Sequence, residues 1–149
     1  MKKIHLTILT VALLAASLVG CNKYDEGPSL SFRSASSRVV NSWEPKVVLA
    51  DGQDITYYFQ NFSIDMTEDG RFVSTDLDDL DSTVTQEGFW SLENDNQDLQ
   101  FIYTVPAVNP DRRTYQIKML KNDEIWLLEE QDSVTMDVRW IAAGSEESE

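Results

Sequence analysis

Phe62, Ile64 and Met66 alternate with Ser63, Asp65 and Thr67, and the same two-residue period returns twice downstream. Tyr115, Ile117 and Met119 alternate with Thr114, Gln116 and Lys118, and Met136, Val138 and Trp140 with Thr135, Asp137 and Arg139. A period of two puts the apolar side chains on one face of an extended chain and the polar ones on the other, so each run predicts a half-buried β-strand. Five further runs read as strands: residues 43–50, 71–75, 83–92 through Phe89 and Trp90, 99–103 with Leu99, Phe101 and Tyr103, and 125–128. Asp51-Gly52, Asp69-Gly70, residues 94–98, Asn122-Asp123 and residues 131–133 carry the turn chemistry between them. Pro106 and Pro110 bracket a loop, and only residues 55–60 suggest a turn of helix. Pro45 has no N–H to give to a ladder and belongs near an edge or a strand start.

Eight strands within about 100 residues, joined mostly by short turns and with no helix long enough to cross over, must pair antiparallel. The predicted fold is all-β: an eight-stranded antiparallel up-and-down barrel over residues 39–142, closed so that no edge remains and the single apolar face turns inward. A two-layer sandwich is the competing arrangement.

The amino terminus has a different grammar. Met1, Lys2 and Lys3 precede an apolar run over residues 6–19, too short to cross a bilayer as a permanent helix. Leu18-Val19-Gly20-Cys21 resembles the lipobox of bacterial lipoproteins, L-[AVS]-[GA]-C, at all four positions. The resemblance implies that residues 1–20 are a signal peptide and that cleavage falls before Cys21. It also implies a thioether-linked diacylglycerol on the Cys21 sulfur and an acyl chain on the new amino terminus, several chains holding where one would exchange. An ordinary secretory peptide abutting a cysteine, or a single-span anchor, are the alternatives. Residues 21–38, with Gly27, Pro28 and five serines, read as a lipidated flexible tether with a reach on the order of 20 Å. Residues 143–149 read as an acidic disordered tail. Asn22-Lys23-Tyr24-Asp25-Glu26 is similar to the lysine-plus-acidic signals that follow the cysteine in surface-exposed Bacteroidetes lipoproteins, with a plain solvated linker as the other reading. The expected location is the cell envelope, lipid-anchored at the outer membrane.

The chain's 12 basic and 26 acidic side chains give a net charge of −14 over 149 residues, which disfavours nucleic acid and bare anionic bilayers as partners. Cleavage before Cys21 removes Lys2, Lys3 and His5 and leaves 10 basic against 26 acidic side chains, a charge of −16. Without histidine, and with its one sulfur nucleophile committed to lipid, such a chain builds no Ser-His-Asp triad, Cys-His pair or histidine-ligated zinc site. No phosphate-binding glycine motif occurs among its six glycines, and one cysteine forms no internal disulfide. Paired carboxylates remain as conceivable acid and base, but acids in turns and at alternate strand positions are ordinarily solvated, so a noncatalytic, monomeric protein without cofactor is expected.

Trp43 at the head of the first strand, the eight-stranded meander and Arg139 on the last strand together resemble the lipocalin and calycin barrels, particularly the lipocalin-like lipoproteins of Bacteroidetes. In that family a glycine stands two places before the tryptophan; here the position is Asn41. The resemblance implies that Arg139 packs across Trp43 and ties the last strand to the first. It further implies a pocket lined by Phe62, Phe72, Trp90, Phe101, Tyr103, Tyr115 and Trp140 for a small hydrophobic or ring-bearing ligand. An eight-stranded barrel is just wide enough to be filled by its own side chains or to hold one small molecule, so these rings read equally as packed core. A structural or protein-interaction module with a filled interior, facing another envelope protein, is the alternative function.

Asp76, Asp78, Asp79 and Asp81 crowd one loop, with Glu87 eleven residues after Asp76. An EF-hand needs glycine at the sixth position and an oxygen ligand at the fifth, where this chain has Asp81 and Leu80. The loop therefore reads as solvated rather than as a calcium site, and no metal is expected.

Overall fold

The computed structural model describes residues 24, 33–77, 82–105, 111–131 and 133–145. Among them the alternating runs form β1 (Asn41–Ala50), β2 (Gln53–Asp54), β3 (Ser63–Met66), β4 (Arg71–Leu77) and β5 (Thr83–Glu93), followed by β6 (Asp98–Val105), β7 (Asp111–Leu120), β8 (Glu124–Gln131) and β9 (Val134–Ala142). From β3 to β9 each strand pairs antiparallel with the next in sequence, and β3 also pairs with β1. β1 pairs back onto β9 from Trp43↔Ala142 to Ala50↔Met136, which closes the sheet. β2 only turns back on the end of β1, so the barrel proper has eight strands, and the sandwich is excluded by the β1–β9 ladder.

Local chemistry sets the corners. Asp51 and Gly52 both take left-handed backbone angles, φ 50° and 79°, as the tight β1–β2 hairpin requires. The β5–β6 turn passes through three left-handed residues, Asn94, Asp95 and Asn96, whose short polar side chains tolerate that conformation. Pro45 lies within β1 rather than at its start. Pairing to β3 ends at Trp43↔Ile64, and the register against β9 slips between Pro45 and Val47, so the proline falls where a ladder is already interrupted. Beyond it the 3-10 turn Thr56–Phe59 stands in for β3: the Ile55 amide donates to the Val48 carbonyl at 2.9 Å and the Val48 amide to Thr56 Oγ1 at 2.9 Å.

The meander sorts its connections into two rings. The β3–β4, β5–β6 and β7–β8 turns form a base, and the other ends of the strands, where β4, β6 and β8 finish, surround a mouth. The base is plugged. Helix α1 (Ala35–Val39) starts at Ser34, whose hydroxyl accepts from the Ser37 amide at 3.1 Å. Val39 is fully buried, an Arg38 Nη1 donates to the Leu120 carbonyl, and the Trp43 indole donates to the Val39 carbonyl at 2.9 Å. Tyr24 is buried against the same end, its hydroxyl donating to the Asn96 carbonyl at 3.0 Å and its ring 5.8 Å from the Arg38 guanidinium. The span read as a flexible tether therefore departs from that expectation at Tyr24 and at α1. Apolar surface on Tyr24 and Val39 gains more from the barrel base than from water. Residues 1–20, Cys21, Asp78, Asp79 and Asp81 lie outside the described residues.

Candidate functional site

Toward the mouth, the interior opens into a cavity of about 640 Å³, a volume typical of small-molecule sites. Of the seven aromatic side chains expected inside, Phe62, Phe101, Tyr103, Tyr115 and Trp140 line it. Trp140 stacks on Phe62 at 6.2 Å between centroids, and Phe101 stands edge-on to Trp140 at 6.3 Å and to Tyr115 at 5.8 Å. Phe72 and Trp90 do not reach it. Phe72 is fully buried behind the wall, edge-on to Phe101 and Tyr103 at 5.1 Å each, and the Trp90 indole donates to the Thr67 carbonyl in a base turn at 3.1 Å. The two readings of the interior thus divide the barrel: core at the base, open space at the mouth.

The cavity also carries polar groups that the apolar pattern left unmarked. Arg113 shares strand parity with Tyr115, and Glu129 with Ile125 and Leu127, so both face inward. Asp76, Gln86 and Asp111 complete the polar lining toward the mouth. Arg113 Nε lies 3.5 Å from the Asp111 carboxylate. Burial pushes the Tyr115 phenol well above its usual range, helped by the Tyr103 and Glu129 charges, and burial likewise raises Tyr103. Both phenols stay neutral at neutral pH. Arg113 is raised although burial, the largest influence, works against it, because a hydrogen bond to Tyr115 and neighbouring negative charge outweigh it. Parity with buried apolar neighbours was the available signal for Arg113 and Glu129.

Arg139 is a correction. It lies between the inward-facing Val138 and Trp140 and so points outward, its guanidinium 3.9 Å over the Trp126 ring and its Nε 3.7 Å from the Asp137 carboxylate. It does not pack across Trp43, whose indole is wholly inside; β1 and β9 are tied by their backbone ladder instead. Arg139→Ala is accordingly expected to cost no more than about 1 kcal/mol in denaturant unfolding, the range of a surface cation–π contact. Asp76 accepts from the Leu77 amide at 2.8 Å, and among the described residues no group of three or more acidic, histidine or cysteine side chains is placed to hold a metal.

No family model matches the chain, and no curated protein matches it. Among solved structures it is similar to an uncharacterized protein from Bacteroides eggerthii, at 13% identity and a TM-score of 0.49 over 68% of this chain and 98% of that one. It is also similar to a lipocalin-like protein from Bacteroides uniformis, at 14% identity and a TM-score of 0.56 over 70% of this chain and 98% of that one. Identity this low speaks of fold alone, and with the β1–β9 closure it makes the domain a lipocalin-like, eight-stranded antiparallel barrel.

Proposed function

We propose that the chain is a lipid-anchored envelope protein whose barrel binds, without catalysis, one small apolar or ring-bearing molecule in the mouth half of its interior. The observation that carries the binding role is the cavity of about 640 Å³ walled by six aromatic side chains, the five expected ones and Phe59. Wall positions filled by rings offer large contact area and face-on or edge-on partners for another ring. The anchor rests on Leu18-Val19-Gly20-Cys21.

Two measurements test the two halves of the proposal. In calorimetry on the purified full chain in detergent, 2-naphthylmethanol is expected to bind saturably, and Met136→Trp, which projects an indole into the cavity, to abolish the heat while circular dichroism stays unchanged. Equal binding by Met136→Trp would place the probe elsewhere and end the reading. Cys21→Ala is expected to release the protein from the membrane fraction, and continued retention would count against the anchor.

A further inference from the structure

Glu129 is 7% exposed and lines the cavity wall, yet among the described residues no hydrogen bond or ion pair reaches its carboxylate. Arg113, the cation on the same wall, feels the Glu129 charge but makes its direct contacts to Asp111, at 3.5 Å, and to Tyr115. A carboxylate on a buried side chain that accepts no hydrogen bond is costly, and a donor entering the cavity would complete it. The remaining charges around the space point the same way. Glu129, Asp76 and Asp111 face one guanidinium, and Tyr103 and Tyr115 are held neutral by burial and add no charge. An anionic ligand would meet an arginine already occupied and three carboxylates. A cation would meet Glu129 and, deeper along the adjacent strand, Trp140 with Phe62 and Phe101 around it, rings whose π-systems attract positive charge. The net charge of −14 raises the local concentration of cations around the whole molecule.

We infer that the cavity takes a small organic cation, with the ammonium group against Glu129 and the apolar body among the rings around Trp140. This rests on the binding role proposed above and adds the charge of the ligand to it.

Three probes that share one ring system decide the matter by calorimetry on the full chain: 2-naphthylmethylamine, 2-naphthylmethanol and 2-naphthoate. The amine is expected to bind about tenfold tighter than the alcohol, or more, as a charge-assisted hydrogen bond in a shielded site allows, with the carboxylate weakest. Glu129→Gln, which keeps shape and removes the charge, is expected to bring the amine down to the alcohol and leave the alcohol unchanged. The three-probe comparison on the unaltered protein stands whether or not that variant folds. An alcohol or carboxylate that binds as tightly as the amine overturns the inference and leaves the binding role intact, as does an amine preference that survives Glu129→Gln. Failure of all three probes to bind ends the binding role itself.

Discussion

Gly88→Ala is expected to lower the unfolding free energy by at least about 3 kcal/mol, toward the severe end for a single added methyl. Gly88 sits at the bulge where the β5–β6 register slips between Glu87 and Gly88. A Cβ there would lie 2.0 Å from the Ile102 carbonyl oxygen and 2.8 Å from the Phe72 ring. The ring could turn aside. The carbonyl belongs to β6 and could retreat only by parting strands that are paired on both sides of the contact, at Gly88↔Tyr103 and Trp90↔Phe101. Urea unfolding followed by tryptophan fluorescence measures the loss, and a midpoint equal to the parent's would show that β6 yields more easily than its pairing implies.

Trp43→Ala is expected to cost about 3–5 kcal/mol, the range for emptying a buried aromatic site. Its indole is fully buried where β1 leaves β3 for β9, between Ile64 and Ala142 in register, and its Nε1 holds the Val39 carbonyl at 2.9 Å. The change therefore opens a cavity and releases the α1 plug together. Hydrogen exchange at the amides of residues 38–40 should rise more than at β7 or β8, whereas Trp43→Phe, which removes the hydrogen bond and part of the ring, should cost roughly 1–2 kcal/mol. A Trp43→Ala protein no less stable than Arg139→Ala would mean that the base plug contributes little.

The strands were legible because a half-buried strand writes its own register: Tyr115, Ile117 and Met136, Val138, Trp140 face inward as their period of two requires. The same alternation places Arg139 outside; the expected contact with Trp43 came from resemblance to a family, not from parity. Helix α1 was illegible for another reason. Five residues, Ala-Ser-Ser-Arg-Val, are too few to show a helical period and are stable only through what they pack against, which is visible only once the barrel has a base. Five positions of the cavity wall were readable as inward aromatic side chains. Glu129 and Arg113 were not, because polar residues toward the end of a strand look solvated until closure decides that this end surrounds an enclosed space.

Tyr24 has one more consequence. Three residues of fully stretched chain span at most about 11 Å, so whatever grips position 21 sits within that distance of the Tyr24 backbone, beside the β5–β6 turn. On the anchored, ligand-binding reading proposed above, the barrel would be moored by its keel on a short line, its aperture turned toward the surrounding medium, and cargo would exchange there rather than with the lipids underneath.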